Sequence, residues 1–301
     1  MALGVLNNIS AMYAENNLNQ TQASMQNVLT QLSSGSRINS GADDAAGMSL
    51  ADGLAANGAA LTQSSANATE GVGLLQVADG ALSQVTNLLN RAITLATEAS
   101  NGTLNNTQLS AADSEYQSIL DEISNIGSTT TYNGQGVFGG TVNIYVGDGT
   151  AAGAFTDTLD LQTLSNASVG DSTGSAGLVY TAGPGATLVY TPVAADVEDL
   201  SKTSLTSNGN AQTALTDINT AIGDVASERG YVGAQINTLT AVSNVDSTEQ
   251  ENVTSAQNAI TATDYGAASS NLSKYEILMQ TGISALAQAN STQQMVTKLL
   301  Q

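Results

Sequence analysis

The chain has 301 residues, of which 26 are acidic and 6 are basic, so its formal net charge at neutral pH is −20. Nucleic-acid binding needs clustered Lys and Arg, and here the few cations stand alone, so we expect no nucleic-acid partner. Cysteine and histidine are absent. Their absence excludes disulfides, thiolate metal sites and Ser-His-Asp triads, so we expect no enzyme, no catalytic residue, no cofactor and no metal site, although carboxylate chemistry stays open.

The first residues lack the pattern of a secretory leader. Such a leader has a basic start and an apolar core of about 7–15 residues, whereas the first basic residue here is Arg37. No window approaches the roughly 18 apolar residues that span a membrane. We therefore predict a chain that is not inserted in a membrane, and that is either cytosolic or exported without cleavage.

Apolar residues recur every seven positions through the first half of the chain, as in long helices packed on other helices. The N-terminal row comprises Leu18, Met25 and Leu32. A longer row without an intervening proline comprises Leu54, Leu61, Ala68, Leu75, Leu82, Leu89 and Ala96. After a turn at Asn101-Gly102, a further helix is predicted by Leu109, Tyr116 and Ile123.

The middle of the chain has a β pattern. Residues 142–146 alternate apolar and polar side chains and end at Gly147-Asp148-Gly149, which predicts a strand that leads into a turn. Residues 178–181 and 188–191 repeat the sequence Leu-Val-Tyr-Thr on either side of Pro184-Gly185, which predicts a β-hairpin.

Heptad spacing returns in the second half. One row comprises Leu215, Ile222 and Ile236, and its companion comprises Ile218, Val225, Val232, Leu239, Val253 and Ile260, with Asp246 as an interruption. The last row comprises Tyr265, Leu272, Met279, Leu286 and Leu300. We predict a mainly α fold: a long, coiled-coil-like helical bundle built from both chain halves, with a central excursion that contains a β-hairpin.

Two separate motifs resemble those of bacterial flagellins. Residues 31–47 (Gln-Leu-Ser-Ser-Gly-Ser-Arg-Ile-Asn-Ser-Gly-Ala-Asp-Asp-Ala-Ala-Gly) are similar to the N-terminal signature of that family, and residues 283–290 (Ile-Ser-Ala-Leu-Ala-Gln-Ala-Asn) to its C-terminal signature. Shorter matches occur at Tyr132-Asn133-Gly134, Val232-Gly233-Ala234 and Asp264-Tyr265.

The resemblance implies a domain organisation and a function. Residues 1–43 and 260–301 would form paired terminal helices in an inner tube, residues 44–164 and 203–259 a helical bundle with a β-hairpin in an outer tube, and residues 165–202 a short, variable, exposed β excursion. Such a chain would polymerise into the flagellar filament, the helical propeller of a swimming bacterium. The hook–filament junction protein of the same superfamily is the alternative, although it usually has Pro after the Asp-Asp pair, where this chain has Ala45.

The resemblance also implies partners and an extracellular location. The chain would be secreted through the flagellar export apparatus, would be bound before export by a cytosolic flagellin chaperone, and would meet filament cap and hook-junction proteins. A secreted enzyme is disfavoured, because the central region is too short for a catalytic insert.

Several residues are candidates for functional contacts. Asp43 and Asp44 are predicted to cap the long helix and to lie in the first turn, where acids favour the positive end of the helix dipole. Arg37 is predicted to anchor to a carboxylate, either Asp43, Asp44 or an acid of the next subunit. The remaining assembly-interface candidates are Leu18, Met25, Leu32, Leu272, Met279, Leu286 and Leu300.

Two further sets of residues follow from the resemblance. Arg91 and Leu95 match part of the patch by which some flagellins engage a Toll-like receptor, with Thr94 in place of the acid. Glycosylation is widespread in the family, and the candidates for O-linked glycans are Ser168, Ser172, Thr173 and Ser175.

Overall fold

A computed structural model describes residues 8–149, 155–169, 179–180, 188–189 and 199–299. The side chains of residues 155, 179–180, 188–189 and 296–299 are not included in this description. The helices are α1 (Ile9–Ser34), α2 (Ala45–Ser100), α3 (Asn106–Thr129), α4 (Asn208–Thr261) and α5 (Tyr265–Leu299), with a 3₁₀ turn at Leu200–Lys202. The strands are β1 (Thr131–Tyr132), β2 (Gln135–Gly136), β3 (Gly140–Val146), β4 (Phe155–Leu161), β5 (Val179–Tyr180) and β6 (Leu188–Val189). The predicted mainly α fold with long helices from both chain halves is confirmed.

The chain divides into two compact units, and the first comprises Met1–Ala56 with Asn252–Gln301. Within it α1 and α5 lie antiparallel. The Asn8 side chain donates to the Ala289 carbonyl at one end of the pair (3.1 Å), and Ser36 pairs with Ala262 at the other. Asn8 also caps α1 by accepting from the Ala11 N–H (3.0 Å), and Gly35 ends the helix in the left-handed conformation (φ 71°) that glycine adopts without strain.

The second unit, Asn57–Glu251, contains a core made by the predicted heptad rows. The long first-half row is buried from Leu61 onward, and the α4 row is fully buried from Ile218 to Leu239. Tyr116, Leu120 and Ile123 of α3 complete this core. Three helices therefore bury facing apolar stripes, as the spacing predicts.

Asp246 occupies a seam position of α4 and is nevertheless 4% exposed. It accepts a short hydrogen bond from the Ser64 hydroxyl of α2, and Ser64 in turn accepts from the Gly147 N–H (2.6 Å). A buried acid is tolerated when it is hydrogen-bonded. The interruption in the heptad row is thus a polar link between α2, α4 and the end of β3.

The predicted strand and hairpin are confirmed. β3 pairs antiparallel with β4, from Gly140 opposite Leu161 to Val146 opposite Phe155, and β5 pairs antiparallel with β6. The Pro184-Gly185 turn of the second hairpin lies outside the described residues. β1 and β2 are joined by Asn133 and Gly134, both at positive φ (51° and 79°), the conformation that an Asn-Gly hairpin turn requires.

Helix side chains hold both edges of the β3–β4 hairpin. On the β3 edge, the Asn67 amide of α2 donates to the Tyr145 carbonyl (2.9 Å), next to the Ser64–Gly147 bond. On the β4 edge, Tyr231 and Glu228 of α4 accept from the backbone N–H groups of Asp160 and Gln162 (3.4 and 3.3 Å). An edge strand exposes unpaired backbone groups, so these contacts protect the hairpin from pairing with other strands.

Candidate assembly interface

The predicted heptad residues of the terminal helices lie where α1 meets α5. Leu18 sits against Gly282, where an added Cβ would lie 3.2 Å from the Leu18 side chain. The described leucines and methionines of these rows are all half-buried: Leu18, Met25, Leu32, Leu272, Met279 and Leu286. Much of their apolar surface is thus covered within the chain, and Leu300 lies outside the described residues.

A different set of apolar side chains on the same two helices faces solvent. Tyr13 of α1 is 68% exposed and Ile277 of α5 is 65% exposed. The full set is Ile9, Met12, Tyr13 and Leu29 on α1, with Tyr265, Ile277, Leu278, Ile283 and Met295 on α5. So many large apolar side chains left exposed on two neighbouring helices favour a surface for contacts with other molecules. Apart from Tyr265, which is on the last heptad row, these residues lie off the rows, so the seven-residue spacing did not select them.

The loop after α1 is held by hydrogen bonds to backbone carbonyl groups near the end of α4. The Arg37 guanidinium donates to the Ile260 carbonyl (2.7 Å), and the Arg37 N–H donates to the Thr261 carbonyl (2.7 Å). Among the described residues Arg37 forms no ion pair, so the expected partners Asp43 and Asp44 do not bind it within the chain. An acid of a neighbouring subunit stays a prediction.

The two acids of the N-terminal motif have different local roles. Asp44 immediately precedes α2 and accepts from the Gly47 N–H (2.8 Å), as an N-cap does. Asp43 instead closes the preceding turn by accepting from the N–H groups of Asn39 and Ser40 (3.1 and 2.9 Å), and these bonds lower its pKa. Neither acid lies in the first helical turn, because the sequence Ser-Gly-Ala before them forms the turn that Asp43 stabilises.

The candidate receptor patch is only partly on the surface. Arg91 is exposed and makes two hydrogen bonds to one oxygen of Glu115 on α3 (2.6 and 2.9 Å), whereas Leu95 is 5% exposed and belongs to the core. Leu95 does not belong to the seven-residue row, yet it is buried in the core cluster. The exposed part of this patch is therefore the Arg91–Glu115 pair, and Glu115 is a residue that the sequence analysis did not single out.

The remaining candidates concern modification and metals. Ser168 is half-buried and pairs with Ser165 through two backbone hydrogen bonds (3.0 and 3.1 Å), and Ser172, Thr173 and Ser175 lie outside the described residues. Over the described ranges, no cluster of three or more acidic side chains is arranged to hold a metal ion. No helix in the described part of the chain has the length and hydropathy of a membrane span.

Long paired helices, a helical core with small hairpins, and exposed apolar side chains on α1 and α5 define a class of mostly helical protein with surface left for contacts to other molecules. The family model of the bacterial flagellin N-terminal helical region matches residues 5–143, and that of the bacterial flagellin C-terminal helical region matches residues 215–300. The chain belongs to the bacterial flagellin family.

Individual relatives match the chain from end to end. It is 32% identical over 300 residues to a flagellin of Listeria monocytogenes, with 97% of this chain and 98% of the relative covered. It is 31% identical over 294 residues to a flagellin of Halalkalibacterium halodurans, with the same coverage of 97% and 98%. A crystal structure of Bacillus cereus flagellin aligns with a TM-score of 0.41 at 27% identity, over 60% of this chain and 88% of that one.

The family settles the general function. The chain is a structural subunit of the bacterial flagellar filament, and no comparison supports the hook–filament junction alternative.

Proposed function

We propose that copies of this chain polymerise through the exposed faces of α1 and α5. The observation that carries the proposal is the set of large apolar side chains that the α1–α5 pair leaves in water. Covering one such side chain contributes about 1.5–3 kcal/mol. Many copies that cover these faces together would order helices that are marginal alone, so folding of the terminal segments is coupled to assembly.

The distribution of charge supports the same surface. The unit that contains α1 and α5 has six acidic and three basic residues, a net charge of −3, whereas the unit Asn57–Glu251 has 20 acidic and three basic residues, a net charge of −17. Like charges brought together in an interface are destabilising, more so at low salt. Electrostatic repulsion between copies is therefore weakest when they contact each other through the unit that contains α1 and α5.

We assign the domains accordingly. Residues 1–43 and 260–301 form the inner tube, residues 44–164 and 203–259 the outer tube, and residues 165–202 an excursion toward solvent. Support for this assignment comes from the family membership and from the antiparallel pairing of α1 with α5.

The same apolar surface supports a proposal about how the chain is exported and which proteins it meets. A chaperone that covers the apolar face of α5 in the cytosol would prevent premature self-association, after which the flagellar export apparatus would deliver the chain to the extracellular filament. Cap and hook-junction proteins would receive it there. The subunit acts by packing and not by catalysis, which the lack of His and Cys supports.

The assembly proposal is tested by Ile283→Asp, which places a charge on α5 at a side chain that is more than half exposed. Ile283 is 55% exposed and lies outside the unit Asn57–Glu251, so that unit should keep its fold. Filament growth should fail, because every subunit would bring an unpaired charge into an apolar interface. Each variant would be expressed in a flagellin-null strain, with filaments scored by electron microscopy and swimming in soft agar.

Two variants complete the design. Leu286→Asp, at a half-buried position, should also abolish filaments. Leu188→Asp in β6 serves as the control, because we place that region toward solvent, and it should leave filaments intact. Normal filaments from Ile283→Asp, or loss of filaments only from the control, would contradict the proposed interface.

A further inference from the structure

Among the described residues, Asp157 is the buried carboxylic acid whose oxygens have no hydrogen-bond partner. It lies on β4, where the buried residues Asp157, Leu159 and Leu161 alternate with half-buried ones. The Asp157 side chain has no exposed surface, and among the described residues neither carboxylate oxygen has a hydrogen-bond partner. An apolar side chain is expected at such a position, because an unpartnered buried carboxylate is costly.

The environment of Asp157 combines close packing with further acids. Its cross-strand neighbour Ile144 packs against Gly71 of α2, where an added Cβ would lie 3.2 Å from the Ile144 side chain. The titratable group that feels its charge most directly is Tyr231 of α4, whose raised pKa comes first from burial and in smaller part from Asp157 and Asp160.

The other ionisable groups that α2, α4 and the hairpin bring to this region are acidic. They are Glu70 of α2, Asp224, Glu228 and Asp246 of α4, and Asp148 and Asp160 of the hairpin. The cation Arg229 of α4 is already paired with Asp79 of α2 (2.8 Å). Within the described part of the chain, no positive charge is thus placed to neutralise Asp157.

Burial raises the pKa of Asp157 above its ordinary value. A carboxyl whose pKa is higher in the folded state than in the unfolded state has no effect on stability below both values, where it is protonated in each state. As the pH rises through the unfolded and then the folded pKa, the docked state is progressively destabilised, and the penalty is complete above the folded pKa.

We propose that docking of the β3–β4 hairpin onto α2 and α4 is linked to a proton on Asp157: the hairpin is held tightly while this side chain is neutral and loosens when it ionises. The contacts of Ser64, Asn67, Glu228 and Tyr231 to the two hairpin edges do not involve the Asp157 carboxylate, so its ionisation removes none of them directly. They keep the ionised hairpin in place, so the link tunes how often the hairpin opens and does not unfold the unit.

The test is amide hydrogen exchange, read by mass spectrometry on peptides from β3 and β4 of the monomer between about pH 3.5 and pH 8, a range that begins below the ordinary pKa of an Asp side chain, about 3.9. After correction for the intrinsic pH dependence of exchange, wild-type protection in these peptides should fall by about tenfold for each unit of pKa difference between the docked and open states. Asp157→Asn cannot ionise, so its protection should be higher than wild type at pH 8 and independent of pH.

The matched control is Asp160→Asn, three positions along the same strand with its side chain on the opposite face. It should retain the wild-type pH dependence. Asp157→Leu, which removes the polar group altogether, should behave like Asp157→Asn. A wild-type slope in both Asp157 variants, an equal loss of slope in Asp160→Asn, or failure of both Asp157 variants to fold would each overturn the proposal.

Discussion

Gly127 permits a close approach between α3 and the segment after β4, and Gly127→Ala should therefore destabilise the unit Asn57–Glu251. A Cβ at this position would lie 2.8 Å from the carbonyl carbon of Leu164 and closer still to its oxygen. One turn earlier, the Ser124 hydroxyl accepts from the Asn166 N–H (2.8 Å), so the segment is tied to the helix on both sides of the contact.

Two effects of this substitution oppose each other. Replacing a helical Gly with Ala normally stabilises a protein by about 0.5–1 kcal/mol. Overpacking that forces the backbone to move costs typically about 1–3 kcal/mol, and loss of the Ser124–Asn166 hydrogen bond adds about 1 kcal/mol. The obstructing atoms belong to the backbone and not to the end of a flexible side chain, so the cost of the clash should exceed the gain from Ala. We expect a net loss of about 1–3 kcal/mol in the free energy of unfolding.

Urea unfolding of the monomer, followed by circular dichroism, measures this loss as a lower transition midpoint. Gly80→Ala in α2 and Gly223→Ala in α4 are matched controls, because a Cβ at either position meets nothing within 4 Å. Both should raise stability by about 0.5–1 kcal/mol. A Gly127→Ala protein as stable as wild type would show that the backbone at Leu164 can shift at little cost, and would refute the predicted steric clash.

Two further predictions concern the polar contacts of the helical unit. Ser64→Ala removes the partner of buried Asp246 and of the Gly147 N–H, and should lower the free energy of unfolding by about 1–3 kcal/mol in the same urea assay. Ser65→Ala, which loses only a half-buried hydrogen bond to Ser243 (2.9 Å), is the control. An equal loss of stability in both variants would argue against a special role of the Asp246–Ser64–Gly147 contacts. Arg91→Ala removes an exposed ion pair to Glu115 and should change stability by less than about 1 kcal/mol. If this pair contacts a Toll-like receptor, a receptor reporter assay should show a weaker response to Arg91→Ala, and an unchanged response would remove Arg91 from the patch.

The amino-acid sequence alone determined the helices, the strand at residues 142–146 and the family. Seven-residue spacing specifies which side of a helix is apolar, and the hydrogen bonds of a helix are local, so the rows through Leu75 and Val225 predicted α2 and α4 correctly. The two long motifs at residues 31–47 and 283–290 are specific enough to indicate flagellin without coordinates.

Only the tertiary structure decided which apolar face of the terminal helices is covered within the chain. α1 and α5 each carry apolar residues on and off the heptad row, and a single intrachain partner covers only part of them. Leu286 is half-buried while Ile283, three residues earlier, is exposed. Periodicity does not resolve this competition, because both residues are compatible with an apolar side of α5.

The buried acids are equally a product of the tertiary structure. Asp246 looked like an interruption of its heptad row, yet it is buried because Ser64, 182 positions away, donates to it. Asp157 lies in an alternating strand pattern that does not show that its side faces a packed helical core. The energy of a buried charge depends on groups that are close in space and distant in sequence, so composition and spacing alone do not predict it.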